Sequence, residues 1–206
     1  DNAALTFDGT VFSGDLKWYA DAYSEADVYA YYPYNANGTP AAYAAVLDQT
    51  AGIAQADFMA AAKKGVLPTP NAITMVFKHL MTKIVVNIDN QSGADVTAVK
   101  ILGGDAACEI DLPNLAVLPA SGAMSTELTE ITAYEATAGK VWKAIVIPQT
   151  VKLSVEVSLS NGKKITQPLA EMTLKSGGQY SINARLLQDD MTVSASGEIE
   201  NWTDEG

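Results

Sequence analysis

Histidine is the side chain most often used as a general base or metal ligand near neutral pH. This chain has a single one, His79. Any Ser-His-Asp or Cys-His relay must therefore run through it, with a nucleophile on one side and an orienting group on the other. Its surroundings argue for a different role. In ITMVFKHLMTKIVVNI, residues 73–88, strand alternation puts His79 on one face with Ile73, Met75, Phe77 and Met81. A histidine among large apolar side chains is expected to pack half-buried and to bond a backbone carbonyl or a neighbouring loop. The chain also has no G-x-S-x-G elbow to present a serine.

The other chemistry-bearing residues are as sparse. The lone cysteine, Cys108, lies in DAACEIDL and alternates with Ile110 and Leu112. It reads as a buried strand residue, because a free thiol packs like a small hydrophobe. One cysteine excludes an internal disulfide. One histidine and one cysteine make a poor basis for zinc. DNQSGAD, from Asp89 to Asp95, offers oxygen ligands like the start of a calcium loop. It lacks the downstream glutamate and the flanking helices, so it is expected to be a polar hairpin loop. Glycoside hydrolysis needs two carboxylates across a cleft, and the acidic residues here fall mostly at turns, as in LQDDM and TDEG. No dinucleotide or P-loop fingerprint occurs. The expectation is a chain with no catalytic residue, no metal ligand and no cofactor.

Aromatic side chains are the remaining candidates. KWYADAYSEADVYAYYPY concentrates Trp18, Tyr19, Tyr23, Tyr29, Tyr31, Tyr32 and Tyr34. Trp18, Tyr29, Tyr31 and Tyr32 are candidate ligand-contacting aromatics, since an exposed platform of rings can stack sugars. The competing reading is structural: strand tyrosines pack one face in a core and leave their hydroxyls at its rim. Both stay open on residue pattern alone.

These residues need a scaffold, and the pattern says which. Hydrophobic residues are 48% of the 206 and charged residues 18%, ample for a packed core. The formal net charge is −11, and Arg185 is the only arginine. Nucleic-acid binding requires clustered Lys and Arg, so it is not expected. No run of about 18 apolar residues exists to span a membrane as a helix. Most of the chain alternates with period two between Gly, Asn and Pro breaks, the mark of an antiparallel all-β protein built as a sandwich or barrel. Asn161-Gly162 in SNGK predicts a type I′ hairpin, and KSGGQ predicts another turn. One short helix is expected in the N-terminal part, over ADFMAAAKKG, with Asp57 as N-cap and Gly65 just past its end. In residues 73–88, Ile84, Val86 and Ile88 are out of phase with Ile73 to Met81. A one-residue phase change moves side chains to the other face. It predicts either a bulge or one long strand that leaves one core and enters another. Accordingly the chain divides near position 72, into a reduced or truncated N-terminal β domain (1–72) and a C-terminal β-sandwich domain (73–206).

Several landmarks then fall in order: VYAYYPY, ADFMAA, MVFKHLMTKIVVNI, WKAIVIPQTV, SGGQYSINARL and the closing VSASGEIENW. Together they resemble the fimbrillin-like, type V pilin-like surface lipoproteins of Bacteroidetes, from about residue 5 to Trp202. The resemblance implies Greek-key sandwich domains of transthyretin-like topology and a non-catalytic role as a fimbrial subunit or an accessory or tip component. It implies export to the outer membrane and cell surface, in a fimbrium, although the sequence shows no lipobox cysteine. Implied partners are other fimbrial subunits, joined by donor-strand exchange, and a glycan or protein ligand on a host or bacterial surface. A surface glycan-binding module is the alternative. MTVSASGEIENWTDEG is the candidate donor strand, or else the last strand of its own sandwich.

Overall fold

A computed structural model of the chain describes residues 2–18, 23–119, 129–188 and 190–198. Tyr19, Trp202 and the end of the candidate donor run lie outside the described residues. Within them, β1 (Thr6–Phe7) and β2 (Phe12–Ser13) form a small hairpin. There follow β3 (Ala26–Tyr32), β4 (Ala42–Ala44), β5 (Met59–Val66), β6 (Lys78–His79) and β7 (Thr82–Asn90). Next come β8 (Val96–Leu102), β9 (Ala107–Asp111), a 3-10 turn at Leu112–Asn114, β10 (Ala116–Pro119), β11 (Glu130–Thr132) and β12 (Tyr134–Thr137). The chain continues through β13 (Val141–Val146), β14 (Thr150–Val151), β15 (Ser154–Leu159) and β16 (Lys164–Pro168). It closes with β17 (Met172–Thr173), β18 (Gln179–Leu186) and β19 (Met191–Glu198).

Alternation builds the main core as a sandwich. One sheet has the order β11-β8-β15-β16, and the other has the order β12-β13-β7-β18-β19. Val99, Ile101, Val155, Val157 and Leu159 of the first face Ile84, Val86, Trp142, Ala144, Ile182 and Leu186 of the second, all buried. Every strand pair in these sheets is antiparallel except β7 with β18, which is parallel. The expected all-β sandwich is what the chain forms.

A second core lies on the N-terminal side. Tyr43, Phe58, Ala60, Leu80, Met81, Cys108, Ile110, Leu112, Ile145 and Ile147 meet there. The sheets β3-β5-β6 and β10-β9-β4 supply most of its wall. Residues from both sides of position 72 build it.

The expected long strand is two strands in two sheets. Residues 72–77 take no regular structure, β6 is short, and the pairing breaks at Leu80–Met81 before β7 begins. Leu80 and Met81 fill the second core, while Ile84, Val86 and Ile88 fill the first. The phase change thus carries the chain between cores. The KSGGQ turn seals the break. Gly177 N–H donates to Met81 O (2.9 Å), Ser176 Oγ to Leu80 O (2.9 Å) and Thr82 Oγ1 to Lys175 O (2.8 Å).

The expected helix is a correction. ADFMAAAKKG forms β5, antiparallel to β3, with Ala60 opposite Tyr31 and Ala62 opposite Tyr29. Alanine has the highest helix propensity, but packing overrides propensity. Small residues in β5 leave room for the tyrosines across the ladder, and Ala60 and Ala61 become fully buried. Gly65 does take a left-handed φ of 65°. It sits where the β3–β5 register shifts, and its N–H donates to Asp27 Oδ1 at 3.0 Å. It is a bulge residue, not a helix stop.

Two turns also differ in detail. Asn161-Gly162 does join a hairpin, β15 to β16. Only Gly162 has positive φ (83°), so the turn is not type I′, which needs positive φ at both residues. The loop from Asp89 to Asp95 does not close a hairpin. It carries the chain from the five-stranded sheet (β7) to the four-stranded one (β8).

Gly177 has φ 67°, and a Cβ there would stand 3.0 Å from His79 O. Gly162 shares the backbone requirement, but nothing lies within 4 Å of its Cβ position. Gly162→Ala should cost about 1–2 kcal/mol, the left-handed penalty alone. Gly177→Ala should cost more, because the core junction must also open. Urea denaturation of the two variants measures the order.

Candidate functional site

His79 lies in a two-residue strand beside β5, with Met59 as its ladder partner. Its Nδ1 is 2.7 Å from Asp57 Oδ2, and the two side chains are 13% and 9% exposed. The expected half-buried packing histidine is therefore present, with a carboxylate as a partner. Asp57 Oδ1 is buried and, among the described residues, has no hydrogen-bond partner. The pair ties β6 to the segment before β5. It does not line the hollow described below.

Cys108 is 1% exposed in β9, beside Ile110 and Leu112 in the second core. Burial pushes its thiol up to about 12 from an ordinary value of 9.0. Burial likewise raises the Tyr43 hydroxyl, which donates to Ala56 O at 2.7 Å. Both groups are inert at neutral pH. Among the described residues, no group of three or more His, Cys, Asp and Glu is placed to hold a metal.

The four candidate aromatics separate. Tyr29 and Tyr31 point from β3 toward the second core, where Tyr31 stacks on Phe58 with centroids 6.0 Å apart. The Tyr31 hydroxyl donates to Asn2 Oδ1 at 2.6 Å, and that of Tyr29 to Asp27 Oδ2 at 3.1 Å. Tyr32 takes the opposite face of the strand and receives a bond from Gln55 Nε2 (3.1 Å). Trp18 donates from Nε1 to Thr69 O (3.0 Å). All four are half-buried. They do not share one face.

Two features escaped the sequence. The first is Gln49, 1% exposed. Its side-chain amide donates to Ile145 O (2.8 Å) and Val46 O (2.9 Å) and accepts from Ile145 N–H (2.8 Å). It thereby completes the ladder of β13 beyond the end of β12. A glutamine in a loop sequence such as VLDQTAG carries no signal of this. The second is a hollow of about 520 Å³ on the outer face of the five-stranded sheet. The register sets Val141, Asn87, Asn183 and Ser194 in one row, and Asp89, Arg185 and Thr192 in the next. Lys140 borders it. Asn87 Nδ2 donates to Asn183 Oδ1 (3.1 Å), and Arg185 Nη2 to Gln91 Oε1 (2.9 Å). Arg185 Nε stands 3.6 Å from Asp89 Oδ2. The signal for it was the outward set of each alternating strand, N-I-D in β7 and N-A-R in β18.

The comparisons with known proteins agree with this architecture. A family model described as fimbrillin-like matches residues 1–202. A candidate cell adhesion protein from Bacteroides ovatus superposes with a TM-score of 0.71 at 25% identity, covering 95% of this chain and 76% of its own. A second, from Bacteroides uniformis, gives 0.70 at 20% identity, covering 93% and 80%. A fimbrial protein from Bacteroides vulgatus gives 0.64 at 14% identity, covering 98% and 85%. No curated protein matches the chain.

His79→Ala should destabilise the fold by about 1–3 kcal/mol, since it takes from the buried Asp57 Oδ2 its 2.7 Å hydrogen-bond partner. The double variant Asp57→Ala/His79→Ala should lose much less than the sum of the singles. Thermal and chemical denaturation of the three variants close the cycle. Cys108 should resist iodoacetamide at pH 8 when folded and react once unfolded. Because its folded value lies above the unfolded one, the unfolded chain loses its thiol proton first. Cys108 should therefore lower stability as pH rises from about 9 to about 12. Cys108→Ala should flatten that part of the stability curve.

Proposed function

The chain belongs to the fimbrillin-like family, and from that premise we propose that it is an exported, cell-surface fimbrial subunit or accessory component. Its work is assembly and adhesion, not catalysis. The observation that carries this reading is the family match along residues 1–202 on a β-sandwich fold. Fimbrial and candidate adhesion proteins supply its structural likeness. The same reading makes other fimbrial subunits its partners and the outer surface its place of work.

Strand exchange is the assembly route that the sheet order favours. β19 ends the five-stranded sheet and, among the described residues, pairs along one side only, with β18. Its inward residue Met191 is buried in the main core, with Val193 packed against it. A strand that fills a core from a sheet edge can be replaced by an equivalent strand from another copy or subunit. Its departure exposes a groove that favours refilling.

A cross-link tests the route. Ser181 and Ser196 are direct ladder partners, within the usual reach of a disulfide. The buried Cys108 leaves the chemistry of an introduced pair undisturbed. In a Bacteroidetes host, the tagged full chain should reach the cell surface and appear in filaments or at their ends. The oxidised Ser181→Cys/Ser196→Cys variant should fold and reach the surface yet fail to assemble, with assembly restored by reductant. Assembly that persists while the disulfide is intact removes the strand-exchange route. A chain confined to the cytoplasm and strictly monomeric removes the fimbrial reading.

A further inference from the structure

The surface that carries the most chemistry outside the two cores is the hollow on the outer face of the five-stranded sheet. We propose that it binds an acidic saccharide, a sugar bearing a carboxylate. Arg185, Asn87, Asn183 and Lys140 lie outside β19, which adds Thr192 and Ser194; the test uses the chain with its own β19 in place, so its outcome is separate from that of the assembly route.

Charge is the first argument. The chain has a net charge of −11, a field that repels anions in general. Among the described lining residues the hollow reverses this locally, with the cations Lys140 and Arg185 against one anion, Asp89. Arg185 is the only arginine of the chain. Gln91 and Asp89 orient it from one side; Gln91 Nε2 in turn donates to Asp89 Oδ2 at 3.0 Å. A guanidinium has five N–H donors in a fixed fork. Among the described residues its bonds go to Gln91 and Asp89 only. The remaining donors suit a carboxylate, which accepts such a fork in two-point fashion.

The lining is the second argument. Asn87, Asn183, Ser194 and Thr192 present amides and hydroxyls across three adjacent strands. Adjacent strands lie about 4.8 Å apart, comparable to the reach between non-neighbouring hydroxyls of one pyranose ring. Val141 adds an apolar patch at the end of the row, where the C–H face of a sugar can rest. The volume, about 520 Å³, accommodates a short oligosaccharide and falls within the range of about 300–1,000 Å³ usual for ligand sites.

Backbone chemistry favours a saccharide over an acidic peptide. β7 lies between β13 and β18, and β18 lies between β7 and β19. Their main-chain groups are already paired in the ladders, so this face cannot bind by strand addition. It offers side chains alone. A ligand rich in hydroxyls with one carboxylate uses what is offered.

Isothermal titration of the full chain tests the site. The probes are trisaccharides of galacturonate, glucuronate and mannuronate, sialyllactose, the neutral galactose trisaccharide, and a glutamate-rich peptide. At least one acidic saccharide should bind, more weakly as salt rises, and the neutral trisaccharide should not. Arg185→Gln should keep the parent's melting temperature and weaken binding by about tenfold or more, the loss of a charge-assisted hydrogen bond. Asn183→Ala should weaken it by a smaller factor. Three results overturn the proposal: no acidic saccharide binds at millimolar concentration, Arg185→Gln binds as the parent does, or the peptide binds in preference.

Discussion

In β13, Trp142, Ala144 and Val146 face the sandwich core, while Ile145 faces the other way into the second core. The whole molecule turns on this arrangement. Successive strand residues point to opposite faces, so a strand buried on both sides must be covered twice. At the β7–β13 end of the sheet, the cover on the outer side comes from the sheets β3-β5-β6 and β10-β9-β4. Phe58, Tyr43 and the β9 residues Cys108 and Ile110 lie against Ile145 and Ile147 there. At the other end, around Asn87, Asn183 and Arg185, the same outer face turns polar and open. One sheet face thus holds a structural contact at one end and a solvent-facing hollow at the other.

Covering a sheet this way creates polar obligations, because a buried amide or carbonyl without a partner costs about 1–3 kcal/mol. Gln49 meets two of them at once. β12 pairs with β13 only as far as Lys143, and beyond that point the Gln49 amide bonds both backbone groups of Ile145. The break at Leu80–Met81 is handled in the same manner by Ser176, Gly177 and Thr82. The Asp57–His79 pair belongs to this set. It joins two segments beside the second core by a buried 2.7 Å hydrogen bond, so that loss of one partner leaves the other under-satisfied.

These roles explain why the residue types most suggestive of catalysis lie away from the open surface. Histidine, cysteine and the paired tyrosines of β3 are spent on the second core. What lines the open hollow on the sandwich is amide, hydroxyl, Asp89, Lys140 and one oriented guanidinium. That inventory presents hydrogen-bond donors and acceptors to solvent on a fold that belongs to the fimbrillin-like family.

Much of this was legible in the residues themselves. Period-two alternation specified an antiparallel β-sandwich, because only one face of most strands here is buried. Cys108 with Ile110 and Leu112 declared a buried strand, and the phase change after Met81 pointed to a bulge or to a passage between two cores, of which the chain takes the second. What alternation cannot say is which strands pair, and there only the tertiary structure decided. The alanines of β5 favour a helix locally, yet the tyrosines of β3 across the ladder make them a strand. Asp57 looked like a helix cap until folding brought His79 beside it. The Asp89–Asp95 loop looked like a hairpin, but it crosses between sheets. Arg185 and Asn87 are separated widely in sequence and become neighbours only because β7 and β18 pair in parallel. Burial pattern is a local property of sequence, whereas strand partnership is set by long-range packing, and the outer-face hollow exists only through partnership.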